Sequence, residues 1–459
     1  MDEIFSLGWR ILLVWAAFGA CSGGLGAQTT PGSRATESSA AAEVTAWVRD
    51  VAIPLRTADP QSDLKDMERL EAVVRDARIV AIGEATHGSR EFFQMKHRLL
   101  EYLVEKKGFT ILGIEANWPE SLAINDYVMN GVGDAPSALD GLYSWAWNTE
   151  EVLELLRWMR KYNEDPAHRK KLKFYGFDGQ IAHLAARNVV NYLDRVDPEE
   201  ARAAAKLFAP VSDMAKEKEA AAKSEVFWEK EEDRIAGLQV EFERRKEAYL
   251  RASSEREWTL AQHHLEIVRQ AAEIYSIKQK GNVSPRDRAM AKNVRWILEQ
   301  EGPEAKIMLW AHNGHVSTGS LGGGASMGNE LRQMYGKEMV VCGFSFEEGS
   351  FQALEKGKGL RPFTVGPAGP ETLDGVLASA GLPLFAVDLR PLPAGGAVAK
   401  WLDAPQKMRS VGAVFSENTR DGGFVEIIPR SFDVLFFVKQ TTAARENPRR
   451  EQWRLESRE

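Results

Sequence analysis

Ile79-Val80-Ala81-Ile82-Gly83-Glu84-Ala85-Thr86-His87-Gly88-Ser89 is the stretch on which the reading of the fold turns. Four apolar residues run without interruption into a turn that holds a carboxylate and an imidazole. A short, unbroken apolar run of this kind reads as a buried strand. The next residues change period. From Arg90 to Lys106 the apolar positions Phe92, Phe93, Leu99, Leu100 and Leu103 keep helical spacing. Ser89 stands where an N-cap belongs and Gly108 where a helix stops. A second apolar run, Ile111 to Glu115, follows. Strand, helix and strand, with strands apolar on both faces, indicate a parallel sheet covered by helices on either side.

Working outward, the same kind of run recurs at Lys173 to Asp178, Ile307 to Trp310, Met339 to Phe344, Leu384 to Asp388 and Val434 to Val438. The fold class expected is therefore α/β, with a parallel or mixed central sheet flanked by helices. Residues 198–280 differ: they hold almost no Gly or Pro and are dense in Ala, Glu, Lys and Arg. Two or three long helices are expected there, as an insertion over one end of the sheet or as a solvated hairpin. The α/β parts would be 43–197 and 281–445. The length of 459 residues suggests two to four domain-sized units.

Residues 1–27 are set apart. Arg10 precedes an apolar run, Ile11 to Ala20, too short to span a bilayer but suited to the core of a signal peptide. Phe18-Gly19-Ala20-Cys21 resembles a bacterial lipoprotein box, and cleavage near Gly26 or Ala27 would instead release a free protein. The expectation is export, to a periplasm or to a bacterial membrane through an N-terminal lipid. Residues 28–42, rich in Ala, Ser, Thr and Gly, read as a flexible tether. The two cysteines, Cys21 and Cys342, make no disulfide framework. A net charge of -7 without a basic stripe argues against a nucleic-acid partner.

The chemistry collects where strands end. In open parallel sheets the ligand crevice lies beyond the carboxyl ends of the strands. Glu84 and His87 follow the first strand, Glu115 closes the second, Asp178 closes a third, and His312 and His315 follow Trp310. The chain has eight histidines, and three stand at these ends. An imidazole has an ordinary pKa of about 6.5 and can take a proton from water at neutral pH, with a carboxylate to orient it. Lys96 lies on the apolar stripe of its helix, where an ammonium either snorkels or meets an anion. In the second case it would hold a substrate carboxylate or a developing oxyanion. Trp145 and Trp147 are candidates for lining an apolar cleft. Arg286-Asp287 is a candidate ion pair at the crevice, and Gly322 to Gly324 with Ser326-Met327-Gly328 reads as a flexible loop before a helix. No Gly-x-Ser-x-Gly elbow, cysteine–histidine protease pattern or dinucleotide glycine fingerprint is present.

Taken together, Gly83 to Gly88 with Glu91-Phe92, Gly113-Ile114-Glu115, Trp147 to Glu150, Arg286-Asp287, His312 to His315, Ser326 to Gly328 and Phe432-Asp433 resemble the erythromycin esterase family from about Ile79 onward. Members of that family open the lactone ring of macrolides by hydrolysis. The resemblance implies His87 as the base that activates water, Glu84 and Glu115 orienting it, and His312 and His315 completing the crevice and stabilising an oxyanion. It places a cation at Lys96, where the family has Arg or Lys. Arg286, Asp287 and Met327, with Trp145 and Trp147, would contact substrate. The expected protein is a hydrolase of a small-molecule ester or lactone that needs no cofactor. Two alternatives stay open: zinc held by the same Glu and His side chains, and a binding protein without turnover.

Overall fold

The computed structural model describes residues 31–278, 284–321, 324–391, 395–418 and 423–447. The export segment, Cys21 included, lies outside them. Among the described residues nine strands form one mixed sheet: β1 (Ile53–Pro54), β2 (Ile79–Ile82), β3 (Ile111–Asn117), β4 (Lys173–Asp178), β5 (Ile307–Trp310), β6 (Met339–Glu355), β7 (Gly359–Val365), β8 (Leu384–Asp388) and β9 (Val434–Thr441). The spatial order is β1-β8-β9-β6-β2-β5-β3-β4, with β7 paired to the far half of β6. From β9 to β4 all neighbours are parallel; β8, β1 and β7 pair antiparallel. The chain runs from β2 outward to β3 and β4, then returns to place β5 between β2 and β3. That return is the topological switch at which a crevice opens in such sheets.

Strict alternation divides the side chains of the sheet between two cores. Val80, Ile82, Leu112, Ile114, Met308 and Trp310 meet Phe92, Phe93, Leu99, Leu100 and Leu103 of α2 (Arg90–Lys107; α1 is Pro31–Val51). Ile79, Ala81, Ile111, Ile307 and Leu309 face the opposite layer. That layer is built by α3 (His183–Val196), α4 (Met214–Ala220), α5 (Glu225–Arg244), α6 (Glu255–Lys278), α7 (Ser284–Glu301) and α8 (Met327–Tyr335). The segment expected as an insertion contains two long helices, α5 and α6, packed on one another, and α6 also packs on α3. Its buried face, with Trp228, Ile235, Leu238 and Phe242, belongs to the main core, so it is not a solvated hairpin.

Two sequence expectations change. The tether over 28–42 is helical from Pro31, the start of α1. Proline suits the first turn of a helix, and the alanines at 35 and 40–42 are the best helix formers. The run read as Met339 to Phe344 is the first third of a strand that continues to Glu355. Beyond Phe346 that strand is mostly half-buried, with only Phe351 and Ala353 fully buried, and it pairs with β7.

Candidate functional site

The turn after β2 carries Glu84 and His87 and is fixed by its backbone. Val411 donates to Ala85 O, and both Gln352 and Ala444 donate to Gly88 O. A Cβ on Gly88 would stand 2.2 Å from Gln352 O, so only glycine lets the strands approach this closely. Glu84 is fully buried. One oxygen accepts from Lys96 Nζ at 2.5 Å and from Trp310 Nε1 at 2.8 Å; the other lies 2.7 Å from His87 Nδ1. Lys96 therefore meets an anion and does not snorkel, and that anion is a protein carboxylate. Its ammonium also stands 4.5 Å from the centroid of the Trp310 ring. Burial pulls the Lys96 pKa down to about 8, against the opposing pull of Glu84. For Glu84, burial acts to raise the pKa, but Lys96 and His87 outweigh it and hold the carboxyl below its ordinary value.

With Nδ1 turned to a carboxylate, His87 keeps Nε2 for other work, and His87 lines a cavity. The ring of His312 lies behind it, at a centroid separation of 5.1 Å. His312 Nδ1 accepts the Gly314 N–H at 3.2 Å, so the proton of a neutral ring is on Nε2. Burial and the neighbouring His87 lower the His312 pKa to about 3, which keeps that ring neutral.

A second knot joins the ends of β3, β4 and β5. Glu115 accepts from Arg286 Nη2 at 2.7 Å and from the His312 backbone N–H at 2.9 Å. Arg286 of α7 also grips Asp178 through Nε and Nη2 at 3.1 and 2.7 Å. His315 lies between Asp287, 2.8 Å from Nδ1, and the pair Arg286 and Glu115, at 2.9 and 3.3 Å from Nε2. Burial disfavours a charged His315, but Asp287 and Glu115 prevail and raise its pKa to about 10. The short approach to Arg286 asks Nε2 to accept, whereas Glu115 asks it to donate. Two carboxylates against one guanidinium make the upward direction the one that holds. Burial also opposes charge on Glu115, yet His315 and Arg286 hold its carboxyl well below the ordinary range.

The cavity beside these groups measures about 280 Å³. His87, Glu115, Asp178 and Arg286 line one wall, and Leu142, Tyr143, Trp145, Ala146 and Trp147 line another. Trp147 is pinned by its Nε1–H to Glu115 O at 3.0 Å. Glu84, His87, Glu115, His312 and His315 are thus brought together; of these only His87 and Glu115 line the cavity, which Trp145, Trp147 and Arg286 also border, while Glu84, His312 and His315 are buried behind it. Asp287 and Met327 do not border it. Asp287 is buried behind His315 and also accepts the Met327 N–H at 2.8 Å, and the Met327 side chain lies in the apolar core. They support the histidine and do not line a substrate surface.

Sequence reasoning missed the third wall, which the insertion supplies through Met214, Glu217, Lys218 and Tyr275, with Gln180 and Ile181 beside them. Nothing in the local pattern of 198–280 marks those positions, because their place depends on how α4 and α6 pack. Asp178 was visible as a strand end, but its partner Arg286 is 108 residues away. Among the described residues no three His, Cys, Asp or Glu side chains converge as metal ligands.

An acid–base cluster at the carboxyl ends of parallel strands, opening on an aromatic cavity, defines an α/β enzyme site. The chain belongs to the erythromycin esterase family, which it matches over residues 104–441, well over half its length, and it is a hydrolase of the esterase type. Erythromycin esterase type II of Escherichia coli is 26% identical over 331 residues, covering 67% of this chain and 78% of that protein. A crystal structure of a Bacillus cereus protein superposes with a TM-score of 0.78 at 27% identity, over 88% of this chain and 99% of that one. A mutant of the erythromycin esterase EreC in its open conformation shares the fold, with a TM-score of 0.66 at 20% identity over 85% and 98% of the two chains.

Proposed function

We propose that the protein hydrolyses a carboxylic ester or lactone by direct attack of water, with His87 as general base. The observation that carries this reading is the Glu84–His87 pair at the cavity wall, with the neutral His312 against it. His87 Nε2 takes a proton from water as its oxygen bonds to the carbonyl carbon. Glu84, held by Lys96 and Trp310, stabilises the imidazolium that forms. The carbonyl oxygen becomes an oxyanion, for which the Nε2–H of a neutral His312 is a suitable donor. When the tetrahedral adduct collapses, the carbon–oxygen ester bond breaks and His87 returns the proton to the alkoxide, giving acid and alcohol. Arg286 keeps Glu115 charged and holds Asp178 in place.

No metal enters this scheme. The substrate is a small molecule, and whether it is a macrolide is settled by assay. The decisive experiment compares wild type and His87→Asn on macrolides and simple esters, with and without chelator. Asn keeps one hydrogen bond but cannot take the proton, so the rate falls by at least about 10²–10⁴-fold with the fold unchanged. Near-normal hydrolysis by His87→Asn removes the assignment. Loss of wild-type activity on chelation, with metal content falling in the variants, would favour zinc.

A further inference from the structure

The wall supplied by the insertion has a hydrogen-bonding character of its own. Glu217 is buried, and its two oxygens accept four bonds: from Ala182 N, His183 N, His183 Nδ1 and Tyr275 Oη. A carboxylate has about four acceptor sites, so Glu217 is saturated. Its part is to hold Tyr275. The Tyr275 hydroxyl lies 2.8 Å from Glu217 Oε1 and 2.7 Å from Gln180 O. Both neighbours are acceptors, and a phenol has one proton. Whichever of them takes it, the capacity left on Tyr275 Oη is to accept. Gln180 offers an acceptor beside it: its Nε2 gives one of two hydrogens to Asp178 at 2.7 Å, which fixes the amide so that Oε1 can accept, while the second N–H can still donate. Tyr275 and Gln180 both line the cavity, with Met214 and Tyr143 adjacent.

We infer that this wall is a subsite for a hydrogen-bond donor, a hydroxyl or an ammonium, carried by the part of the substrate away from its ester carbonyl. The inference rests on the hydrolase reading for the identity of the ligand. Its chemistry follows from the fixed direction of the Tyr275 proton. A group able only to accept, such as an ether oxygen, meets lone pairs there and is disfavoured. A site built to hydrogen-bond a substrate group discriminates against the analogue lacking it, because polar groups are left unpaired. Lys218 also borders the cavity, and the test must separate its influence from that of Tyr275.

The experiment uses four esters of one acid that differ only at the far end: methyl, methoxy, hydroxyl and ammonium. Wild type is expected to favour hydroxyl or ammonium over methoxy by roughly tenfold in kcat/KM, the scale of one buried hydrogen bond. The stronger of the two arms tells alcohol from amine. In Tyr275→Phe that preference disappears through KM, with the hydroxyl and ammonium esters losing most and the methyl ester least. A preference that survives in Tyr275→Phe, or an equal loss for all four esters, overturns the subsite. Equal loss would mean that Tyr275 only supports the fold. Calorimetric binding of the corresponding non-hydrolysable ketones to wild type gives a readout without turnover. If no ester is hydrolysed but the hydroxyl or ammonium ketone still binds about tenfold tighter than the methoxy one, the hydrolase reading fails and the subsite stands. Equal binding of the ketones ends the subsite in either case.

Discussion

Lys96 carries its ammonium where water does not reach, and its anionic hydrogen-bond partner is Glu84. Because burial brings its pKa to about 8, the cation that fixes Glu84 is present below that pH and lost above it. Without it Glu84 orients His87 less well, so the rate should fall as pH rises through about 8. Lys96→Arg keeps its charge to much higher pH and should move that limb upward, at a packing cost of about 1–3 kcal/mol in a filled slot. A pH–kcat profile with the same alkaline limb in both proteins would detach Lys96 from it. Removing the charge altogether, as in Lys96→Met, takes away the cation that balances the buried Glu84 carboxylate. That should destabilise the protein by about 3–5 kcal/mol, measured by denaturant unfolding, and Glu84→Gln in the same chain should recover much of it. The sequence already exposed a cation on an apolar helical stripe, since periodicity reports burial. It did not expose the partner, nor the tautomer of His312, which depends on one backbone N–H two residues on. Short-range pattern carries burial, whereas a proton's position depends on neighbours that only the fold assembles.

Elements meet at this site through one guanidinium. Arg286 of α7 ties Glu115 at the end of β3 to Asp178 at the end of β4, and touches His315 beyond β5. Arg286→Met strands two buried carboxylates and should cost about 3–5 kcal/mol as well as activity. Arg286→Lys should recover only part, because an ammonium cannot span three partners as a planar fork does. Equal stability of Arg286→Met and wild type in denaturant would show that the strand ends hold without the clamp. The start of α8 offers a second check. Ser326 to Gly328 reads from sequence as a flexible loop, yet Gly328 lies inside the first turn of a helix. A Cβ there would stand 1.9 Å from Val316 O and 2.5 Å from Ser317 O, both backbone. Alanine ordinarily gains up to about 1 kcal/mol over glycine inside a helix. Here Gly328→Ala should instead lose about 1–3 kcal/mol, since the carbonyls cannot step aside without moving the segment that carries His315. A stabilised variant would show that this approach is loose. Seven strands were legible because apolar runs of four to six residues mark them. β1, of two residues, and β7 with the far half of β6 were not: β1 is too short to form a run, one face of the β6–β7 ribbon is partly exposed, and the apolar run ends at Phe346.

Across the whole molecule the order of strands matters more than their number. The return of β5 between β2 and β3 brings His312 and His315 against Glu84, His87 and Glu115, more than 190 residues apart in the chain. The strand-end rule anticipates the meeting place but not the neighbours, because nothing local in Ile307 to Trp310 states which strands flank it. The same holds for the insertion, whose composition announces helices and whose role as a cavity wall follows from packing alone. The N-terminus bears on where the molecule works. Val44 and Val48 of α1 are buried in the main core, and Arg49 donates to the carbonyls of Ser379 and Ala380. The fold is therefore anchored from the middle of α1 onward. We propose that the segment before residue 28 serves export, on the pattern of Arg10, the apolar run and Cys21. Protein recovered from its own host should then have lost that segment, or carry lipid on Cys21, as read by intact mass. A chain starting at Gln28 should melt at the same temperature as the full sequence and keep full activity. One starting after Arg49 should be markedly less stable, because each buried valine contributes about 1.5–3 kcal/mol. Recovery of protein with Met1 and Asp2 in place would sink the export reading. Equal melting of all three chains would show that the packing of Val44 and Val48 does not anchor the fold.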